Sequence, residues 1–250
     1  MKLQVENLTF SYGAEKILQS VSFEHDRGGL FFLLGANGAG KSTLFKLISG
    51  ILKPESGRIL LDGRDISTLS RRETAQTISV SWQHGGSGFD LTAGEFVLFG
   101  RNARLSRWGG VGRKDMQAVE QAMEMTGTSR FAGRNVSTLS GGELQSLKLA
   151  ANLALSPEIM LLDEPGAAHD PARNHQLFSL LKSIAAEKTV IVVSHDIASA
   201  QLYADKILLL GNGSVLDSGS PEKVLTPENL AAVYHAGKVE EKEIKSFLFF

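Results

Sequence analysis

Along the first sixty residues, apolar and polar positions alternate in short stretches. Residues 2–10 and 16–24 read as strands around a turn at Gly13, and Gly57 to Gly63 adds another with Ile59 and Leu61 on one face. Together they predict an antiparallel β layer. Elsewhere the apolar positions fuse into unbroken runs: Leu30-Phe31-Phe32-Leu33-Leu34, Ile159-Met160-Leu161-Leu162, Thr189-Val190-Ile191-Val192-Val193 and Ile207-Leu208-Leu209-Leu210. Such runs fit parallel strands covered on both faces, and Ile78-Ser79-Val80-Ser81-Trp82 is a fifth strand candidate. Helical spacing follows at Leu44, Leu47 and Ile48 up to Gly50, and at Leu177, Leu180, Leu181 and Ile184 after Asp170-Pro171, an N-cap with proline at the first helical position. The prediction is an α/β fold.

Between about 89 and 155 the strand pattern disappears. Thr92 and Glu95 have capping-box spacing for a helix ending near Gly100, and Met116, Val119 and Met123 line one face of a helix that stops at Gly127. These methionines read as core rather than as a metal or haem site. Arg101, Arg104, Arg107, Trp108, Arg113 and Lys114 make a basic stretch between those helices, which reads as a solvated loop or as a docking surface. Near the end, Asn212-Gly213 marks a hairpin turn into Ser214-Val215-Leu216, and helices start near Ser220-Pro221 and Thr226-Pro227.

Gly35-Ala36-Asn37-Gly38-Ala39-Gly40-Lys41-Ser42 lies between a buried strand and a helix and fits the phosphate-cradling pattern G-x-x-x-x-G-K-[ST] at every fixed position. The glycines let backbone N–H groups curl around phosphate oxygens, Lys41 can reach the terminal phosphates, and Ser42 offers a hydroxyl to Mg²⁺. The helix N-terminus adds its partial positive charge. The order strand, glycine loop, helix therefore predicts a nucleotide site.

Other candidates fall at strand ends, where open α/β sheets place ligand-contacting groups. Tyr12, at the end of the first strand, can stack on a purine or be an ordinary edge tyrosine. Gln83 follows the strand at 78–82, and Asp163-Glu164 follow the run at 159–162. An aspartate there can hold a magnesium shell and the adjacent glutamate can face an attacking water. His195 ends the strand at 189–193, as a structural histidine or one facing the ligand crevice. Leu139-Ser140-Gly141-Gly142-Glu143-Leu144 opens a helix with Ser140 as N-cap, Glu143 as its capping-box partner and Leu139 with Leu144 as a hydrophobic staple. Capping does not explain two glycines at the first two helical positions, each costing about 1 kcal/mol relative to alanine. They leave backbone N–H groups open to close approach, a second anion-binding surface.

Composition narrows the partners. The 26 basic and 27 acidic residues nearly cancel, so no general field favours nucleic acid or acidic lipid, and none is expected as a partner. The absence of cysteine excludes disulfides, Cys-ligated zinc and iron–sulfur ligation by this chain. No apolar run approaches a membrane span, and Phe247-Leu248-Phe249-Phe250 is far too short to be one.

Taken together, these residues resemble an ABC-transporter ATPase subunit from residue 2 to about 236, and within that family the importers of iron chelates, haem or cobalamin. The family's motifs occur in order: the aromatic Tyr12, the phosphate loop, Gln83, the LSGGE signature at Leu139 to Glu143, Asp163-Glu164, a loop ending at Asp170, and His195. Arg72-Glu73-Thr74-Ala75, the Phe99-Gly100-Arg101 helix end, and Val224-Leu225-Thr226 through Val233-Tyr234 carry the narrower likeness. The resemblance implies a RecA-like P-loop core with an antiparallel β subdomain (1–86), an inserted helical signature subdomain (87–154) and the remainder of the core with C-terminal helices (155–250). It implies ATP and Mg²⁺ as cofactors. Tyr12, Gly35, Asn37, Gly38, Gly40, Lys41, Ser42 and Thr43 would bind ATP, and Ser42, Gln83 and, through water, Asp163 would hold the metal. Glu164 would polarise the attacking water, with His195, Gln83 and Lys41 completing the catalytic set. Ser140, Gly141, Gly142 and Asp170 would act in trans on the nucleotide of a second copy, head to tail. The other implied partners are polytopic permease subunits and, indirectly, a substrate-binding protein, with the chain peripheral on the cytoplasmic face of the inner membrane. A soluble ABC ATPase that assembles iron–sulfur clusters is the alternative. The chain departs from the family at Gly166-Ala167-Ala168-His169-Asp170, where Ser-Ala-Leu-Asp is usual after Glu-Pro-Thr.

Overall fold

The computed structural model describes residues 1–82, 90–106, 110–167 and 169–234. In chain order its strands are β1 (Leu3–Tyr12), β2 (Glu15–His25), β3 (Leu30–Gly35), β4 (Ser56–Leu61), β5 (Arg64–Asp65), β6 (Ile78–Ser81), β7 (Ile159–Asp163), β8 (Thr189–Val193), β9 (Lys206–Gly211) and β10 (Ser214–Gly219). Its helices are α1 (Lys41–Ile48), α2 (Arg71–Thr77), α3 (Ala93–Gly100), α4 (Arg113–Met125), α5 (Gly141–Leu155), α6 (Pro171–Ala185), α7 (Ile197–Tyr203), α8 (Pro221–Val224) and α9 (Pro227–Tyr234).

Two sheets form. The N-terminal strands pair antiparallel in the order β2-β1-β4-β5, and the apolar runs make a second sheet, β10-β9-β3-β8-β7-β6. Its members β9, β3, β8, β7 and β6 are parallel, while β10 returns antiparallel through the Asn212-Gly213 turn.

The period of two in the unbroken runs sends alternate residues to opposite cores. Phe31, Leu33, Leu161, Ile191 and Leu208 face a core shared with the antiparallel sheet and with Leu44, Phe45 and Ile48 of α1. Leu30, Phe32, Leu162, Val192 and Leu209 face a second core closed by Leu177, Phe178 and Leu181 of α6 and by the C-terminal helices. A third core, with Val97, Val119, Met123 and Leu147, joins α3, α4 and α5. Thr92, Ser70 and Ser140 each make the reciprocal cap that their sequences predict or allow.

Two expectations are corrected in this helical region. Met116 is largely exposed, because it sits on the outer side of α4 while Val119 and Met123 turn inward. The basic stretch is not simply solvated. Arg101 is 8% exposed, its Nε and Nη2 donate to Asp115 Oδ1 at 2.9 and 2.8 Å, and Nη1 donates to the Ala154 carbonyl. Arg104 donates to the carbonyls of Leu155 and Ser156. Both arginines cap the C-terminal end of α5, where free carbonyls favour cations. Arg107 and Trp108 lie outside the described residues. Among those residues, no helix is long and apolar enough to cross a membrane.

Candidate functional site

Sheet register aligns the strand ends. Leu33 pairs with Val193 and Val193 with Asp163, so Gly35, His195 and Glu164 emerge together at the carboxyl edge of β3, β8 and β7. The loop after β3 turns tightly into α1. Gly40, the N-cap of α1, has φ +99°, and a Cβ there would stand 2.6 Å from Leu18 Cδ2, so both backbone angle and space require glycine. At Gly35 a Cβ would meet the Leu210 carbonyl oxygen at 2.3 Å.

These elements enclose a cavity of about 360 Å³ lined by Asn37, Gly38, Gly40, Lys41, Ser42, Thr43, Asp163, Glu164 and His195, together with Glu15, Ile17 and Val193. Lys41 is only 6% exposed; its Nζ donates to the carbonyls of Gly35 and Ala36 at 2.7 and 2.9 Å. Burial lowers its pKa, opposed by Glu164 and Asp163. The loop's own cation thus folds back across it.

Glu164 sits one residue beyond β7 with φ +49°, a left-handed conformation uncommon for a residue with a side chain. Its pKa is pushed up to about 7, chiefly by burial and then by Asp163, against the His195 backbone N–H and Lys41. Its Oε1 is buried without a hydrogen-bond partner, and His195 Nε2 approaches to 3.4 Å without bonding geometry. Burial, and then Lys41, lower the pKa of His195, so it is neutral near pH 7 and the contact is not an ion pair. A carboxyl group held near neutrality beside a cation and open to a phosphate cradle has the character of a general base.

The metal's expected ligands suit a hard cation: the Ser42 hydroxyl and the Asp163 carboxylate share the cavity, and oxygen donors are what Mg²⁺ selects. Gln83 lies outside the described residues. Tyr12 pairs across the sheet with Glu15, which lines the cavity, and its exposed ring packs edge-on against Phe10, leaving a face for a base.

Ser140, Gly141 and Asp170 are not brought to this cavity, and Gly142 lines a different cleft, with His169 and Arg173. Ser140 Oγ accepts the Glu143 N–H at 3.3 Å while Glu143 Oε2 takes the Ser140 N–H at 2.8 Å, and Asp170 accepts the Arg173 N–H at the head of α6. His169 Nε2 lies 3.5 Å from the Gly142 carbonyl. Ala168 lies outside the described residues.

Besides Glu15 and Ile17 in the cavity wall, a further residue that the sequence did not single out reaches the site. Gln145 Nε2, on α5, donates to the Glu164 carbonyl at 3.1 Å. The only signal was its place one turn after Gly141, on the same helix face.

A phosphate loop between a buried parallel strand and a helix, facing carboxylates at neighbouring strand ends, defines a P-loop nucleotide-binding domain. A family model for the ABC transporter matches residues 18–167. The chain belongs to this family. It is 38% identical to a hemin import ATP-binding protein of Pseudomonas aeruginosa over 93% of this chain and 92% of that one, and 34% identical to a ferric enterobactin transport ATP-binding protein of Escherichia coli, over 93% and 87%. It is 35% identical to a cobalamin import ATP-binding protein of Halobacterium salinarum, covering 94% of this chain but spanning only 59% of that relative's length. Among solved structures, cbiO1 of Clostridium perfringens, part of the ABC transporter complex cbiONQ, superposes with TM-score 0.80 at 28% identity over 99% of this chain and 98% of that one. A bacterial Atm1-family exporter with ATP bound also gives 0.80, at 25% identity over 100% of this chain and 42% of that one, so the fold is shared across transport directions.

Proposed function

We propose that this chain is the ATP-hydrolysing subunit of a membrane importer for an iron chelate, haem or cobalamin. The observation that carries the reading is the single cavity holding Lys41, Ser42, Asp163, Glu164 and His195. The import direction and cargo class rest on the relatives' names.

In this reading the N–H groups of residues 37–43 cradle the phosphates of ATP, and Lys41 leaves its carbonyls to neutralise charge on the terminal ones. Ser42, Gln83 and, through water, Asp163 would hold Mg²⁺, which would supply further neutralisation of the phosphate charge. Glu164 takes a proton from the attacking water, and His195, presenting a neutral ring, contacts the γ-phosphate. Ser140, Gly141, Gly142 and Asp170 stand away from this cavity because they serve the nucleotide of a second copy facing head to tail. We assign residues 1–86 and 155–250 to the P-loop core and 87–154 to a helical signature subdomain, consistent with the separate core of α3, α4 and α5.

The permease would dock on an apolar groove of about 460 Å³ between that helical core and β6, lined by Ala75, Val80, Trp82, Leu91, Phe96 and Phe99. Phe99 is 63% exposed, a large apolar side chain presented to a partner. The chain would then lie peripherally on the cytoplasmic face of the inner membrane, with a substrate-binding protein on the far side.

The test is to tag the full chain, solubilise membranes in mild detergent and identify by mass spectrometry what co-purifies. A stoichiometric polytopic protein is the expected result, with ATP hydrolysis by the complex. Recovery only from the soluble fraction with soluble partners overturns the importer reading in favour of an assembly factor.

A further inference from the structure

Glu164 occupies a backbone conformation that costs about 1–3 kcal/mol for a non-glycine residue and persists only where the surroundings enforce it. Three hydrogen bonds grip it. Its N–H donates to the Val193 carbonyl at 3.0 Å, within the rigid sheet. Its own carbonyl accepts from the Ala167 N–H at 3.3 Å, within the local turn, and from Gln145 Nε2 at 3.1 Å, on a helix that packs in the helical core and, through Leu149, in the core under the sheet. A carbonyl only accepts, so the orientation of the Gln145 amide is fixed by this contact. The carboxylate itself has little to hold it, since Oε1 is buried without a hydrogen-bond partner. Its aim is therefore set by the backbone, and of the three grips on that backbone the only one from a side chain belongs to α5.

The same helix begins with Gly141 and Gly142, one turn from Gln145. We propose that Gln145 is a positioning residue for Glu164: nucleotide bound by the partner subunit against the head of α5 is reported, through the Gln145 amide, to the carboxylate in the chain's own site. This rests on the reading that Ser140, Gly141 and Gly142 act across a dimer. An α-helix moves as a rigid body over one turn, so displacement of its first turn reaches Gln145 undiminished, and the hydrogen bond hands it to the strained residue. The two nucleotide sites would then fire together.

The test uses the full chain with its co-purifying partners and two variants. Gln145→Met keeps length and packing but has no donor, and Gln145→Glu sets an acceptor against the carbonyl. Steady-state ATP hydrolysis gives kcat, KM and the Hill coefficient, light scattering of the isolated full chain follows ATP-driven dimerisation, and melting temperature identifies a variant that fails to fold, in which case the other decides. For each folded variant the expected result is a kcat lower by about three- to tenfold, the rate factor matching one hydrogen bond's net worth. KM should stay within about twofold and dimerisation should persist, with the Hill coefficient falling from near 2 toward 1. Unchanged kcat and Hill coefficient overturn the proposal, and so does a lower kcat with cooperativity intact, which marks a merely local role. If the unsubstituted protein does not dimerise on ATP, the trans reading itself fails and takes this inference with it.

Discussion

Replacing Glu164 by glutamine should stabilise the protein while disabling it. The carboxyl group is buried beside Asp163, its side chain 16% exposed, and its pKa rises from the ordinary 4.5 to about 7. The folded protein thus holds a proton that the unfolded chain releases between those two values. Stability falls as pH rises through this window and settles at its lower level above 7. The shift of about 2.5 units, at 1.36 kcal/mol each, amounts to roughly 3 kcal/mol of cost from ionising this one group. Glutamine keeps the shape and carries no charge, so it removes the cost.

The assay is a pair of thermal melts, without nucleotide, at pH 5 and pH 8. At pH 5, just above the unfolded value, the two proteins should melt within about 2–3 °C of each other. At pH 8 Glu164→Gln should melt higher by several degrees, since a chain of this size gains about 2–4 °C per kcal/mol. ATP hydrolysis should fall by about 10²–10⁴-fold, as expected for loss of a general base, while ATP binding is retained. A melting difference that does not grow with pH refutes the burial argument; near-normal turnover removes Glu164 from its role.

Lys41→Ala should weaken ATP binding by about 10- to 100-fold, the range for a lost charge-assisted hydrogen bond; titration with a fluorescent ATP analogue checks this, and a change under threefold refutes it. Arg101→Met leaves Asp115 and the Ala154 carbonyl without their cation and should cost about 3 kcal/mol, the lower end for breaking a buried pair because Gly112 N–H still supports Asp115. Urea unfolding measures the loss, and a cost below about 1 kcal/mol would place Arg101 outside the core. His25, buried against Phe31 and bonded to the Gly28 carbonyl, has its pKa lowered from 6.5 by burial. The folded state resists its protonation, so the stability it confers is complete above pH 6.5 and is lost as pH falls below that value. His25→Gln should flatten the urea midpoint between pH 5 and 7, and an unchanged slope there counts against His25 as its source.

The glycine loop before α1 and the capped start of α5 are legible because their chemistry is local: glycines, a cap and a charge within eight residues. The buried strands were legible from uninterrupted apolar runs. Their order was not, since nothing in the residues of β8 says that it pairs with both β3 and β7. Arg101 was misread for the same reason, as its burial depends on Asp115 and on Ala154, fifty-three residues away. The left-handed turn at Glu164 and its tie to Gln145 likewise exist only once two cores meet.

Strand order also constrains how the molecule comes into being. The segment ending in His195 is inserted between two neighbours made earlier, so the spatial sequence Gly35, His195, Glu164 is a permutation of the order of synthesis. No contiguous fragment shorter than about three-quarters of the described chain carries every wall of the cavity. On a ribosome, the emerging polypeptide displays its glycine loop long before it owns a complete grip on ATP. Proteolytic nicking inside that span cannot liberate a smaller piece with the complete cavity, and cellular nucleotide can engage every wall only in molecules whose translation has passed β8.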